Sequence, residues 1–158
     1  VEWIEAGAWG ETPAQETARM QPVSNYAKAK LAKLRRKIKR KGAKLRRLSV
    51  AERHRLRITA KRLRYATEFF AETFPGAERS KRRAESLSAL KDLQDALGGL
   101  NDLATHHALI AGHAEEAAGG DPRALSHLAP DRDREDALMH EAERSYARFT
   151  GSKAFWKG

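Results

Sequence analysis

The chain has 158 residues, enough for one domain, and its 41% hydrophobic content supports a modest core and argues against a disordered or collagen-like chain. It contains no cysteine, which excludes disulfides, thiolate metal sites and cysteine catalysis. The formal net charge is +10, no apolar run approaches the ~18 residues of a membrane span, and no signal-peptide pattern is present. The expectation is a soluble cytoplasmic protein with no membrane association. It opens on Val1 with no initiator Met, which reads as a processed piece of something longer.

Residues 1–23 read as the tail of a preceding element followed by a linker: Glu2 to Trp9 is apolar-rich, and Gly10 to Pro22 contains Gly, Thr, Pro and Gln. Residues 24–158 read as helices. From Ser24 to Leu48, Leu31, Leu34, Ile38, Leu45 and Leu48 recur at helical spacing, with Gly42 interrupting the series. Basic residues surround that stripe. Ser49-Val50-Ala51-Glu52 is a capping-box pattern, and the helix it opens is predicted to run to Thr73, before Phe74-Pro75-Gly76. In that helix Leu56, Leu63 and Phe70 share one face, and His54, Arg57, Lys61 and Arg64 share another. A third helix is predicted from Glu78 to Leu97 on a Leu87, Leu90, Leu93, Leu97 seam, with Gly98-Gly99 ending it. Asn101 or Asp102 then caps a fourth helix to Ala118, Gly119 to Pro122 breaks the chain before a short helical segment, and the last helix spans Asp131 to Phe149. No useful stretch alternates with period two. The fold class is all-α, an antiparallel helical bundle with a strongly basic helix pair.

The charge is concentrated in that pair. Between Lys28 and Arg64 stand 18 Lys or Arg and the single acid Glu52, a segment of +17, while the other 121 residues sum to −7. So dense a field points to a polyanionic partner, because like charges repel and solubility does not require them this close. His54, Arg57, Lys61 and Arg64, spaced 3, 4 and 3, form a cationic rail about 15 Å long on which successive anionic groups of a linear ligand can sit. Arg offers a planar fork for phosphate oxygens, Lys a point charge, and His a donor strongest when protonated. Between Tyr26 and Tyr65 there is no aromatic residue on which bases can stack, which favours a base-free polyphosphate, or phosphate contacts without sequence preference, over base reading. A helix whose Leu/Ile stripe is buried also offers less than a full cylinder to a DNA major groove. His106 and His113, seven apart beside His107, share a face that could ligate a metal, but no acid stands at an i+4 position between them and no His-Glu-x-x-His pattern occurs, so no metal and no cofactor is expected. Asp92, Asp95 and Asp102 read as caps or ion-pair partners, and nothing nominates a nucleophile.

His54-Arg55-Leu56-Arg57-Ile58, followed by Lys61-Arg62-Leu63-Arg64-Tyr65 and Glu68-Phe69, resembles the signature helix of the CHAD family, the histidine-containing α-helical domain. Leu90, Leu93-Gln94-Asp95, Leu97-Gly98 and Asn101-Asp102 are similar to the family's next helix–turn–helix, so the resemblance covers Ser24 to about His113. It implies a helical domain of two pseudo-symmetric four-helix halves around a basic channel that binds inorganic polyphosphate. Many bacterial members sit on polyphosphate granules, and some are fused to a triphosphate-processing enzyme. It further implies that His54, Arg57, Lys61 and Arg64 bind the ligand, with Lys33, Lys37, Arg40 and Lys44 lining the same channel. A whole domain of this type is a much longer chain with one such helix in each half. The single helix here resembles the second half, and Glu2 to Trp9 then reads as the tail of the first. The expected function is non-enzymatic polyphosphate binding, with a nucleic-acid-binding bundle or an accessory domain of a triphosphate-hydrolysing enzyme as alternatives. Sulfate or phosphate ions, a weak homodimer and association with a separate first half complete the expected partners.

Overall fold

The computed structural model describes residues 22–116 and 132–157, with side chains as far as Ile110 in the first stretch. Four α-helices, α1 (Val23–Gly42), α2 (Val50–Phe69), α3 (Ala77–Glu116) and α4 (Arg132–Gly151), account for most of it, and no strand occurs among the described residues. Each helix packs on its chain neighbour, α1 on α2, α2 on α3 and α3 on α4. The bundle closes where α4 returns to the end of α1 (below). The all-α bundle predicted from the sequence is the fold. The break at residues 119–122 and the segment 1–21 lie outside the described residues.

Each basic helix has one narrow seam to bury. On α1 it is Ala27, Leu31, Ile38 and Gly42, a 4-7-4 spacing that keeps one face inward, with Leu34 partly covered. The α-helix stops at Gly42, and a 3₁₀ turn, Leu45–Arg47, carries Leu45 into the core. The capping box of α2 forms as predicted: the Glu52 amide donates to Ser49 Oγ at 3.3 Å, and the Ser49 amide donates to Glu52 Oε2 at 2.9 Å. That backbone bond, with the Ser49 hydroxyl, holds the Glu52 carboxyl below its usual range. Leu56, Ala60, Leu63 and Phe70 are buried. The α-helix itself ends at Phe69, earlier than the predicted Thr73. Ala71–Thr73 form a 3₁₀ turn, and Arg83 Nη1 donates to the Ala71 carbonyl at 2.9 Å. Gly76, at φ +119°, makes the turn into α3 that an L side chain resists.

The largest departure from the sequence reading is α3. It runs unbroken through Gly98-Gly99, so no helix ends at Leu97 and none is capped at Asn101 or Asp102. At 1.5 Å per residue it is about 60 Å long. The glycine pair is a contact point. A Cβ on Gly98 would stand 3.3 Å from Arg57 Nε of α2, and one on Gly99 would stand 2.9 Å from Leu138 Cδ1 of α4. The helix gives up about 1 kcal/mol of propensity per glycine and gains close approach of both neighbours. Leu90, Leu93, Leu97 and Leu100 form its buried seam, and the buried Gln94 amide donates to the Leu90 carbonyl at 2.9 Å.

On α4 Met139, Ala142, Ser145 and Phe149 face the core. The chain then turns back, and Phe155 and Trp156 seal the end of the bundle, the Phe155 ring meeting Phe74 edge-on at 5.7 Å. Where α4 meets α1, the Tyr146 hydroxyl donates to the Lys39 carbonyl at 2.6 Å and its ring lies flat on Gly42. Arg46 grips Glu143 with two hydrogen bonds of 2.8 and 2.9 Å. A Cβ on Gly42 would lie 2.3 Å from Tyr146 Cε2, and the ring is pinned through its hydroxyl. Gly42→Ala is therefore expected to destabilise the protein by about 1–3 kcal/mol in chemical denaturation, and Tyr146→Ala in the same chain should recover part of that loss.

Candidate functional site

The cations of the basic segment divide into those that hold the bundle and those that face outward. Arg35 Nη2 donates to the Thr150 and Ser152 carbonyls at 3.4 and 2.5 Å, and its guanidinium lies 4.7 Å from the Phe149 ring centre. It caps the C-terminus of α4, where a cation meets the negative end of the helix dipole. Burial lowers its pKa, although a guanidinium stays protonated. Arg53 is nearly buried, and Arg46 is committed to Glu143. What remains on the outer surface is mostly lysine.

Those outward cations converge between α1 and α2. A groove of about 500 Å³ runs there, lined by Lys30, Lys33, Leu34 and Lys37 of α1 and by Arg62, Tyr65 and Ala66 of α2. No acid lines it. Its cations carry no ion pair among the described residues, so their fields add. Lys33 and Lys37 are one helical turn apart, about 6 Å along the axis, the interval at which a linear anion can present successive charges.

The eight residues singled out from the sequence are not all in this groove. Lys33 and Lys37 line it, and Arg40 stands beside them on the outer face of α1 with Arg36 and Lys39. Lys44 is exposed at the α1–α2 turn. His54 and Lys61 are exposed on α2. Arg57 and Arg64 turn to the opposite flank, toward α3: Arg57 Nε donates to the Gln94 carbonyl at 3.3 Å over Gly98. Arg64 Nε lies 3.9 Å from Glu68 Oε1, too far for a hydrogen bond, and is buried without one. The rail therefore splays over the crest of α2. Helical spacing shows that residues share a face and leaves open which neighbour that face meets.

Sequence reasoning missed two features. Arg62 is the α2 cation inside the groove, although its neighbours at 61 and 64 drew the attention. A second acid-free hollow, about 510 Å³, flanks α1 on its other side, where Arg36 and Lys39 meet Arg82, Lys153 and Lys157 around Trp156. The two C-terminal lysines lie outside the basic segment, and only the return of the chain after α4 brings them there. The carboxylates take structural partners: Asp92 pairs with Arg148 of α4, and Asp95 pairs at 2.9 Å with Lys91, whose ammonium that bond holds above its ordinary pKa. His106 and His107 stand with ring centres 6.4 Å apart, and the side chain of His113 lies outside the described residues.

An outward cationic groove on an α-helical pair, with the His/Arg/Lys helix as one wall, agrees with what the sequence as a whole matches. The model of the CHAD domain matches residues 2–111. The chain belongs to the CHAD family. The match begins ahead of α1 and ends within α3, so both walls of the groove lie inside the CHAD region and α4 lies beyond it. Searches of curated proteins and of solved structures return no match. No described helix of this CHAD protein is long and apolar enough to cross a membrane.

The split between inward and outward cations is testable without any ligand. Arg57→Ala removes the bond to the Gln94 carbonyl and the cover over Gly98, and is expected to cost about 1 kcal/mol of stability. Lys61→Ala, on the exposed crest, should stay within about 0.5 kcal/mol of the parent protein in the same denaturation series.

Proposed function

We propose that this CHAD protein binds inorganic polyphosphate without transforming it, and that the α1–α2 groove is where the chain of phosphates lies. The observation that carries the reading is the acid-free lining: Lys30, Lys33 and Lys37 of one helix face Arg62 of the other. Polyphosphate is a string of identical anions with no base, sugar or ring to read. Repeated cations at one-turn intervals are sufficient to hold it. Lysine ammoniums bind as point charges and impose no single ligand geometry, while Arg62 adds a planar fork. Lys61, Arg40 and Lys44, exposed on α2, α1 and the turn between them, add to the field, and His54 adds a donor when protonated. A cytoplasmic protein with this property would gather on polyphosphate granules, as many family members do.

Direct titration with polyphosphate at about 0.1 M salt tests the reading. Lys33→Ala, Lys37→Ala and Arg62→Ala should each weaken binding by about 1–2 kcal/mol, and Arg144→Ala, whose partner Glu141 lies on its own helix, should leave it unchanged. The logarithm of affinity should fall linearly with the logarithm of salt, with a slope of about −3 for four cations. Duplex DNA of equal phosphate content should compete poorly, because two helices side by side cannot both enter a groove. Equal losses from all four substitutions would show a diffuse field and no site.

The binding-only part of the proposal has its own assay. No carboxylate lines the groove to hold Mg²⁺ against a bound phosphate, and no serine, threonine or histidine lines it. Incubation with polyphosphate or triphosphates and Mg²⁺ or Mn²⁺ should release no phosphate. Steady release abolished by Asp95→Asn or Asp102→Asn would make the protein an enzyme.

A further inference from the structure

Tyr65, Phe69 and Phe70 are close in sequence, and the fold brings the distant Tyr26 to them at one end of the groove. Tyr65 lines the groove and is 49% exposed, and Phe69, one turn further along α2, is 81% exposed. Across from them on α1, Tyr26 is 44% exposed. The buried Phe70 holds this group together: it meets Phe69 edge-on at 4.9 Å and Tyr26 edge-on at 6.2 Å. Lys61 Nζ and the Arg64 guanidinium lie 5.7 and 5.2 Å from the Tyr65 ring centre, so cations of its own helix steady the ring. Along the exposed crest of α2 the order is cation, ring, ring, at Lys61, Tyr65 and Phe69, each step being one turn. Lys33 and Lys37 repeat at the same stride on the facing helix.

Inorganic polyphosphate has no use for these rings. An exposed Phe beside a Tyr is costly to keep in water, and a ligand with flat apolar faces relieves that cost. A second copy of this chain is the wrong occupant, because the patch is bordered by Lys30, Lys61 and Arg62, and pairing two such faces opposes like charges. The occupant must combine repeated negative charge with planar faces. Single-stranded nucleic acid does so, and duplex does not, since its bases are already stacked on each other.

We propose that the α1–α2 groove also accepts single-stranded nucleic acid, its phosphates on Lys33, Lys37 and Arg62 and its bases stacked on Tyr65 and Phe69. This rests on the groove being an anion site, as above. Stacking on a ring face is indifferent to base identity, so the binding is independent of sequence. Glu68, the acid nearest the rings on α2, turns to Arg64 and leaves the ring side cationic.

The test uses fluorescence anisotropy with a labelled oligouridine of about ten nucleotides, an abasic oligomer of the same length, and polyphosphate. Phe69 touches the core through Phe70 and is otherwise in water, so Phe69→Ala probes stacking without loosening the bundle. Phe69→Ala and Tyr65→Ala should each weaken oligouridine binding by about five- to tenfold, and Phe69→Ala, which lies outside the groove lining, should leave polyphosphate affinity within about twofold. The abasic oligomer should bind the parent protein more weakly than oligouridine, and the double variant should bind both alike. If oligouridine and abasic oligomer bind the parent equally, or if the ring variants weaken both ligands by the same factor, the stacking proposal is wrong. If polyphosphate binds and oligouridine does not, this inference fails and the polyphosphate reading stands. If neither binds, the anion site itself is refuted. If Phe69→Ala instead converts a dimer to a monomer in sedimentation with no change in oligouridine affinity, the patch is a self-association surface and the proposal falls.

Discussion

The fold is governed by one conflict: a segment of +17 has to supply two of four bundle helices, and each can bury only a narrow apolar stripe. Concentrating 18 cations on two adjacent helices and the turn between them is electrostatically unfavourable, and the hydrophobic term must offset it. Leu31, Ile38, Leu56, Leu63, Leu90, Leu93 and Leu97 are all fully or almost fully buried, each contributing roughly 1.5–3 kcal/mol. Because the stripe is narrow, several flanking arginines find acceptors on neighbouring elements, while the lysines and the remaining arginines reach water. That division gives the protein both its cohesion and its groove.

The two cations are used according to their chemistry. Arginine is planar, weakly hydrated and rich in donors, and it bridges elements: Arg35 on the last carbonyls of α4, Arg57 on the Gln94 carbonyl within α3, Arg83 on the 3₁₀ turn before α3, and the exposed Arg46 on Glu143 of α4. These bonds join separate elements of the chain. Lysine, a compact and strongly hydrated charge on a flexible stem, is left on the outer faces of α1 and α2. The groove is therefore lined chiefly by lysines whose positions follow from their unsuitability for the interior.

Much of this was legible in the residues. The Ser49–Glu52 box, the Leu stripes, the all-α class and the last helix all follow from local rules, because caps and 3.6-residue periodicity are local properties. The Gly98-Gly99 pair was not legible as a contact. A double glycine is both a helix stop and a site of close approach, and Arg57 and Leu138, remote in the chain, decide which. The same limit applies to the cationic rail. Spacing groups His54, Arg57, Lys61 and Arg64 correctly on one side of a cylinder, yet α1 and α3 take opposite flanks of that side, and Arg62 enters the groove. The aromatic gap between Tyr26 and Tyr65 belongs to the sequence order alone: in an antiparallel helix pair the two ends of a long interval approach each other, and Phe70 meets Tyr26 edge-on.

The geometry also explains why α3 must be long and rigid. Its middle touches α2 through Gly98 and α4 through Gly99, so a single helix sets the separation of both neighbours. A helix broken at that pair would let α2 tilt, and the α1–α2 groove, which has no covalent closure and no internal ion pair among the described residues, would change width. The cations on its walls repel one another and offer nothing to hold it shut. Its shape is instead imposed from behind, by Leu56, Leu63 and Leu97 in the core and by Tyr146 against Gly42 at the end of α1. The repulsion between its walls and the packing behind them together set the groove's width, and the same repulsion marks a concentrated positive field between the two helices.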